Sequence, residues 1–420
     1  MINNFHNFPQ GWEVKTLGEC LEYEQPTKYI VKNTQYSDEY EIPVLTAGKS
    51  FLLGYTNDTE NIFTQTPVII FDDFTTDSKF VDFHFKVKSS AMKILHATKI
   101  ANIKFVFYFM QTIQYRSDTH KRYWISEYAK LPIPLPLLEV QKAIVEKLEN
   151  AFAHIDEAVH HLKAVQTNIP RLKSSLLHCA FSGKLTESQN SSHKVQTLKS
   201  VVGVEGETLP FEPPHPLIKT EIPQGWEIKT LGEIGKVISG GTPSTSNKDN
   251  FDGEIAWITP ADLSGYKEKY ISKGKRNLSE QGLKNSSARL LPPNSILFSS
   301  RAPIGYVAIA SNALCTNQGF KNLIPNGNVS SEYIYYFLLH SKRLAESVAS
   351  GTTFKEISAA SFSKLPIPLP PLATQNQIVQ ILESKFAHLE KLAQFVNASL
   401  ENLQRLKSSL LNQAFKGELV

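Results

Sequence analysis

The chain has 420 residues, 41% of them hydrophobic and 20% charged, which excludes a disordered chain and predicts two or three domains. Its formal net charge of +4 permits nucleic-acid binding without requiring it. The sequence shows no signal peptide and no apolar run long enough for a membrane span. Three scattered cysteines, Cys20, Cys179 and Cys315, provide neither a disulfide framework nor the spacing of zinc ligands. We therefore expect a cytoplasmic protein.

A tandem repeat organises the whole sequence. Three motifs occur twice in the same order: an opening motif P-Q-G-W-E-[VI]-K-T-L-G-E (9–19 and 223–233), a connector motif K-L-P-I-P-L-P-[LP]-L (130–138 and 364–372) and an exit motif R-L-K-S-S-L-L-x-x-A-F-x-G-x-L (171–185 and 405–419). Three ordered matches of this length indicate an internal duplication.

The repeat predicts five segments in chain order. These are a first globular domain (1–136), a first long helix (137–183), a polar and proline-rich linker (184–222), a second globular domain (223–370) and a second long helix (371–420). The predicted fold class is α+β, with two mixed α/β domains joined by two long helices that form an antiparallel coiled coil about a pseudo-twofold axis.

Between the opening and connector motifs the two copies differ. These inserts, 20–129 and 234–363, contain short apolar, β-branched and aromatic runs that predict a strand-rich core: 68–71, 103–109, 295–298 and 306–310. The alternating prolines of each connector predict an extended segment, because proline cannot continue a helix. A fixed frame around two different inserts favours recognition of two different targets over catalysis.

A heptad pattern follows each connector. Apolar residues seven apart form one seam per helix: Leu148, Ile155, Leu162, Ile169 and Leu176 in the first, and Leu382, Leu389, Val396, Leu403 and Leu410 in the second. Two matched seams favour pairing of the two helices, although packing of each helix on its own domain is the alternative. Pro170 predicts a kink or break in the first helix. The companion row of the second helix is weaker.

The sequence lacks the motifs of several enzyme classes. It contains no amino-methyltransferase motif, no dinucleotide-binding glycine motif and no H-E-x-x-H zinc motif. The G-K-S of residues 48–50 resembles the end of a phosphate loop, but Pro43 occupies the position that requires glycine. Asp72, Asp73 and Asp77 resemble a metal-nuclease cluster, but they have no upstream partner acid and no matched copy in the second insert. We therefore predict no catalytic residue and no metal ligand.

Polar and basic loops favour contact with nucleic acid. Lysine and arginine neutralise phosphates, threonine and serine fix the register, and arginine, asparagine and glutamine read base edges. Candidates in the first insert are Lys49, Thr75, Thr76, Lys79, Lys121, Arg122 and Trp124. Candidates in the second insert are Thr242, Lys273, Lys275, Arg276, Ser299, Ser300, Arg301, Asn317, Gln318, Thr352 and Lys355.

The opening, connector and exit motifs resemble those of the specificity (S) subunits of type I restriction-modification systems. In the second insert I-S-G-G-T-P-S (238–244), R-A-P-I-G (301–305) and T-N-Q-G-F (316–320) look like the commonest type of target recognition domain. In the first insert Y-E-Q-P-T-K-Y (23–29) and I-F-D-D-F-T-T (70–76) look like a different type. The resemblance covers the whole chain.

The resemblance implies a non-catalytic reader of double-stranded DNA. Each target recognition domain would read half of a split site, and the helices would act as a spacer and a docking surface for two adenine methyltransferase subunits. Motor-nuclease subunits would complete the complex. The chain itself would hold no cofactor, because S-adenosylmethionine, ATP and Mg²⁺ belong to those partners.

Two alternatives remain open from the sequence. The chain could serve a methyltransferase–nuclease fusion of the type IIB kind, or it could be a coiled-coil scaffold whose domains bind proteins. The sequence also leaves open the bases read, the gap between the half-sites, which residues contact bases, and whether DNA is bound without the methyltransferase.

Overall fold

The computed structural model describes residues 9–46, 50–113, 122–187, 222–351 and 355–419. Three predicted DNA-contacting residues, Lys49, Lys121 and Thr352, and most of the predicted linker lie outside these ranges. The chain forms two compact units. The first comprises residues up to Lys163 together with Asn397–Val420, and the second comprises Ala164–Val396.

The first unit contains the first globular domain. Its described strands are β1 (Glu13–Thr16), β2 (Leu21–Glu24), β3 (Ile42–Leu45), β4 (Leu52–Thr56), β5 (Val68–Asp72), β6 (Ser78–Val81), β7 (Lys86–Val87), β8 (Met92–Ala97) and β9 (Pro132–Leu135). Its short helices are α1 (Leu17–Cys20), α2 (Ile103–Met110) and α3 (Tyr123–Ser126), and the long helix α4 (Leu138–Phe181) begins here.

The second unit contains the second globular domain. Its described strands are β10 (Glu227–Thr230), β11 (Gly235–Ser239), β12 (Phe251–Ile258), β13 (Tyr270–Ile271), β14 (Arg276–Leu278), β15 (Ile296–Ser299), β16 (Val307–Ala310), β17 (Cys315–Thr316), β18 (Phe320–Pro325) and β19 (Pro366–Leu369). Its helices are α5 (Lys184–Glu187), α6 (Leu231–Ile234), α7 (Glu280–Lys284), α8 (Ser331–His340), α9 (Lys342–Ser347) and α10 (Ala359–Ser363), and the long helix α11 (Leu372–Ala414) begins here.

The opening and connector motifs form the same small structure in both units. Strand β1 pairs antiparallel with β9, and β10 pairs in the same way with β19, so each connector is extended as predicted. The T-L-G-E sequence that ends each opening motif forms a capping box, in which Thr16 and Glu19, or Thr230 and Glu233, bond to each other's backbone N–H groups. The repeated sequence thus builds a repeated base for each domain.

The two inserts share one sheet topology although their sequences differ. The first domain has a sheet of order β2-β8-β5-β6, and the second has β11-β18-β15-β16 with β13 added at the edge. Each domain also has a three-stranded sheet, β4-β3-β7 or β14-β12-β17, in which one pair is antiparallel and the other parallel. The predicted mixed α/β domains are confirmed, and the duplication extends through the inserts.

The prediction of a strand at residues 103–109 is wrong, whereas the other three runs form strands as predicted. Residues Ile103–Met110 form helix α2. The side chain of Asn102 accepts hydrogen bonds from the backbone N–H groups of Lys104 and Phe105, which starts the helix. Phe105 and Phe109 then face the core. A run that is apolar at nearly every position fits a buried helix as well as a strand. Here the Asn102 cap favours the helix.

The two long helices have 44 and 43 residues. Helix α4 continues through Pro170, so the predicted break does not occur. The predicted seam positions are sheltered from solvent: Leu148, Ile155, Ile169, Leu382 and Val396 are buried, and Leu162, Leu176, Leu389, Leu403 and Leu410 are half-buried. The weaker companion row of the second helix leaves Leu392 and Leu406 exposed.

The helix segments run antiparallel within each unit, as predicted. In the first unit Lys407 of α11 pairs with Asp156, and Lys147 donates to the carbonyl of Leu419, which follows α11, so the chain at the end of α11 runs opposite to α4. In the second unit Lys173 pairs with Glu390 at 3.3 Å. Both globular domains also pack on these segments, so helix pairing and helix–domain packing coexist.

Each exit motif docks on the domain of the other copy. In the first unit the ring of Phe415 lies 5.1 Å from that of Phe105 and 5.2 Å from that of Phe109. In the second unit Phe181 makes the matching contacts with Tyr333 and Phe337, at 5.3 and 5.4 Å. Burial of one such ring stabilises the unit by about 2 kcal/mol.

Candidate nucleic-acid interface

Loops from four parts of the second domain meet at one edge of its sheets. The backbone N–H of Gly241 donates to the carbonyl of Thr316, and that of Ser300 donates to Gly319 at 2.7 Å. The backbone N–H of Ile357 donates to the carbonyl of Ser300. A Cβ atom on Gly240 would lie 1.9 Å from the carbonyl oxygen of Asn317, so glycine is required for this close approach.

The meeting of these loops brings together several predicted contacts. Thr242 donates from its hydroxyl to the side chain of Gln318, and Asn317 accepts from the backbone N–H of Gly319 at 2.9 Å. Gln318 and Lys355 are exposed. The edge therefore presents amide, hydroxyl and ammonium groups on short, internally bonded loops, as base and phosphate contacts require.

Arg301 lies at the centre of this edge. Its guanidinium is 3.3 Å from one carboxylate oxygen of Glu356, and the other oxygen accepts from Lys321 at 3.1 Å. The Arg301 side chain is 40% exposed, whereas that of Lys321 is 8% exposed. Glu356 thus links a buried cation to an exposed one, and it leaves part of the guanidinium available to a ligand.

Ser299 and Ser300 are wholly buried, which corrects their prediction as DNA contacts. The Ser299 hydroxyl donates to the carbonyl of Pro303 and accepts from the N–H of Tyr306, each at 2.7 Å. The Ser300 hydroxyl donates to the carbonyl of Gly319 at 3.0 Å. Both hydroxyls are used inside the turn, so they position Arg301 and have no face open to DNA.

The basic residues at 269–276 of the second domain differ in their surroundings. Lys273, Lys275 and Arg276 are exposed, and the backbone N–H of Lys275 donates to Asp262 at 2.9 Å. The guanidinium of Arg276 lies over the ring of Phe251, 3.9 Å from its centroid. Lys269, in contrast, pairs with Glu383 of the long helix. The first three remain candidates for phosphate contacts.

In the first domain the predicted residues gather around the turn between β5 and β6. The carboxylate of Asp72 accepts from the N–H groups of Phe74 at 2.9 Å and Thr75 at 3.2 Å. Thr76 adopts a φ of 63°, a left-handed conformation that closes the turn. Thr75 and Lys79 are exposed. The acidic cluster considered as a metal site therefore includes a residue that organises this turn.

Asp73 connects the same turn, through hydrogen bonds, to the segment that begins at Arg122. Its carbonyl accepts from the N–H of Tyr123 at 3.0 Å, and its carboxylate accepts from the N–H of Trp124 at 2.9 Å. The other carboxylate oxygen lies 3.3 Å from the ammonium of Lys93. These bonds bring Arg122, which is exposed, next to the turn that carries Thr75 and Thr76.

Trp124 was predicted to contact DNA, but its side chain is only 1% exposed. Its ring packs against those of Phe71 and Tyr128, with centroids 5.2 and 6.2 Å away. Trp124 is therefore a core residue that supports the turn. The exposed aromatic residue here is Phe74, which lies within the I-F-D-D-F-T-T motif but was not among the predicted DNA contacts. Phe74 directly follows I-F-D-D, as Arg301 directly follows L-F-S-S, and this matching position is the signal that could have found it.

Among the described residues, no group of three or more histidine, cysteine, aspartate or glutamate side chains is arranged to hold a metal ion. Burial raises the pKa of all three cysteines, and that of Cys20 and Cys315 to about 11, so these thiols stay protonated at neutral pH. No helix in the described ranges is long and apolar enough to cross a membrane.

Comparison with known proteins decides the family. A family model described as the type I restriction modification DNA specificity domain matches residues 9–165 and 223–402, which is most of the chain. The chain belongs to this family. The two matches follow the duplication, since each covers one globular domain and the adjoining part of one long helix.

Relatives within this specificity family include subunits from bacteria and archaea. The chain is 36% identical to the type I restriction enzyme EcoR124I/EcoR124II specificity subunit of Escherichia coli over 383 residues, which is 87% of this chain and 85% of the relative. It is 46% identical to the MjaIX specificity subunit of Methanocaldococcus jannaschii over 165 residues, or 39% of this chain and 38% of the relative. Members are DNA-recognition subunits, so the chain is a recognition subunit rather than a catalytic one.

Solved structures of specificity subunits share the fold. The HsdS subunit of Thermoanaerobacter tengcongensis aligns over 100% of both chains with a TM-score of 0.58 and 19% identity. A chain from a study of complex assembly and conformational transition of the type I R-M system covers 98% of this chain and 100% of its own length, with a TM-score of 0.66 and 20% identity. At these identities the likeness concerns the fold alone.

Proposed function

We propose that this specificity subunit reads a bipartite double-stranded DNA site, with one half read by each globular domain. The observation that carries the proposal is the shared topology of the two domains with different polar loops at the same edge. A common scaffold with unlike loops suits a target with two unlike halves, because loops on a rigid sheet can vary without changing the fold.

In the second domain, Arg301 supplies the direct reading of a base. A guanidinium can donate two parallel hydrogen bonds to the O6 and N7 atoms of guanine in the major groove. Thr242, Asn317 and Gln318 contribute further contacts to bases or sugars. Lys273, Lys275, Arg276 and Lys355 bind phosphates, which sets the register of the domain on the duplex.

In the first domain, Arg122, Thr75, Thr76 and Lys79 form the contact surface. The threonine hydroxyls suit phosphate oxygens or base edges, and the two cations suit phosphates. Asp73 is a positioning residue, because it joins the turn that carries the threonines to the segment that carries Arg122.

The long helices serve as a spacer between the half-sites and as the docking surface for two adenine methyltransferase subunits. An exposed aromatic residue on a helix supports a protein contact, and Phe395 of α11 is 67% exposed. Motor-nuclease subunits join through the complex. S-adenosylmethionine, ATP and Mg²⁺ are held by these partners, and the work takes place in the cytoplasm, where the host DNA lies.

Methylome sequencing tests this function directly. A host that expresses this chain with its methyltransferase should carry methylated adenines in one motif of two short half-sites separated by a fixed gap. Omitting the chain should remove that methylation. A short continuous motif, or methylation that does not depend on the chain, would contradict the proposal. A scaffold that binds only proteins would give no motif, and a type IIB-like system would lack a separate motor subunit.

A further inference from the structure

The turn that carries Phe74 in the first domain is equivalent to the turn that carries Arg301 in the second. In the central sheets Phe71 pairs with Lys93, and Phe298 pairs with Lys321, at matching places in the matching strands. Phe74 and Arg301 each follow the paired phenylalanine by three residues. The register of the sheets therefore assigns both residues to the same place.

A second set of contacts supports the equivalence. The carbonyl of Asp73, the residue before Phe74, accepts from Tyr123, and the carbonyl of Ser300, the residue before Arg301, accepts from Ile357. A nearly buried lysine lies beneath each turn and binds an acid, Lys93 with Asp73 and Lys321 with Glu356. Both turns are thus held by a backbone hydrogen bond from a second segment and by a lysine–acid pair, although the acid lies in the turn in the first domain and in the second segment in the second.

The same contacts place one residue beside each tip. Arg122 precedes Tyr123 in the first domain, and Glu356 precedes Ile357 in the second. Each turn region therefore includes one arginine, at the tip in the second domain and beside the tip in the first. The chemistry of the tip itself changes from a cation to an apolar ring.

Phe74 is presented to solvent on a fixed backbone. The residue is 39% exposed, and its N–H is bonded to the carboxylate of Asp72. Asp73 is fixed on its other side by the buried ion pair with Lys93. A turn backbone held in this way loses little conformational entropy when the side chain it carries contacts a ligand.

We propose that Phe74 is a specificity-determining residue of the first domain and contacts the C5 methyl group of a thymine in the major groove. A phenyl ring has no hydrogen-bonding group, and the thymine methyl is the apolar feature that distinguishes base pairs in that groove. Insertion between base pairs is disfavoured, because about three-fifths of the residue is covered by its own domain. The inference rests on the proposed reading of one half-site by each domain.

Replacement of thymine by uracil, which lacks only the methyl group, tests the proposal on the assembled complex with its methyltransferase. Binding is measured to duplexes in which each thymine of the first half-site is replaced in turn. One replacement should weaken binding by about fourfold, the value of one buried methyl group. The variant Phe74→Ala should bind the thymine and uracil duplexes equally. Phe83→Ala is the matched control, because Phe83 is an exposed phenylalanine beyond the far end of β6 and should leave the preference unchanged.

The outcomes separate this inference from the proposed function. If no thymine of the first half-site responds to uracil, or if Phe74→Ala keeps the full response, Phe74 does not read the methyl group although bipartite recognition stands. Increased fluorescence of 2-aminopurine placed in the half-site would indicate insertion and would also overturn the proposal. If the unmodified protein in its complex showed no sequence-specific binding to either half-site, the proposed function itself would be refuted. Binding of the second half-site by Phe74→Ala shows that the variant is folded. The uracil replacements in the unmodified protein test the proposal even if the variant does not fold.

Discussion

Lys93 and Asp73 form an ion pair in the core of the first domain, with Nζ and Oδ2 3.3 Å apart and both side chains at most 3% exposed. The variant Lys93→Met should lower the free energy of unfolding by about 3–5 kcal/mol, because it leaves a buried carboxylate without its counter-charge. Denaturant unfolding measures the loss. The double variant Lys93→Met/Asp73→Asn should lose less than the sum of the single variants, and strictly additive losses would show that the pair is not coupled.

Gly417 and Pro9 join the end of the second exit motif to the first opening motif. Gly417 has a φ of +75°, and a Cβ atom there would lie 2.4 Å from Cγ of Pro9. Gly417→Ala should therefore suffer both backbone strain and a steric clash. Gly11→Ala is the matched control, since Gly11 has a φ of +91° but no atom within 4 Å of an added Cβ.

The control should lose about 1 kcal/mol in the free energy of unfolding, from the left-handed backbone alone. Gly417→Ala should lose about 2–4 kcal/mol, from strain together with overpacking. Thermal or denaturant unfolding of the two variants provides the comparison. Equal losses would mean that the exit and opening motifs do not depend on this contact.

His340 should make the second unit less stable in acid. Burial and the nearby His178 lower its pKa to about 4 in the folded protein, whereas an unfolded histidine titrates near the ordinary value of 6.5. The unfolded chain therefore binds more protons between these pH values, and the free energy of unfolding should fall as the pH drops from about 6.5 to 4. The full change amounts to roughly 3 kcal/mol.

Urea unfolding at pH 7 and pH 5 measures this effect. His340→Gln should reduce the difference between the two pH values, because glutamine has no proton to bind. His161→Gln should leave it unchanged, since the His161 side chain is 72% exposed. An acid sensitivity that persists in full in His340→Gln would assign it to other groups.

A shorter helix pair should change the gap between the half-sites. Removing residues 157–163 together with 400–406 deletes one heptad from each helix beside the Asp156–Lys407 ion pair. Seven residues span about 10 Å of helix, and B-DNA rises about 3.4 Å per base pair, so the gap should shorten by about three base pairs. Methylome sequencing reads the gap. An unchanged gap with both half-sites intact would contradict the role of the helices as a spacer.

The repeated frame could be predicted from the sequence because its motifs are local and nearly identical in both copies. The opening, connector and heptad patterns predicted the extended connectors, the long helices and their antiparallel pairing. Pro170 did not break the helix: α4 runs from Leu138 to Phe181, and burial of Ile169 and Leu177 on its packed face offsets the one hydrogen bond that the proline removes.

The shared topology of the inserts could not be predicted in the same way. It depends on pairing between strands far apart in the chain, such as Phe71 with Lys93 and Phe298 with Lys321, and the sequences around these pairs differ. Burial was also misjudged at Trp124 and Ser300. An aromatic or hydroxyl side chain looks the same in a sequence whether it faces solvent or completes a buried set of hydrogen bonds.

Exchange of one insert is the measurement that tests the central claim most directly. Residues 20–129 are replaced by the corresponding insert of another specificity subunit, and the methylome of a host that carries the hybrid with its methyltransferase is sequenced. We predict that one half-site changes while the other half-site and the gap are retained. A change in both half-sites, or in neither, would contradict the assignment of one half-site to each domain.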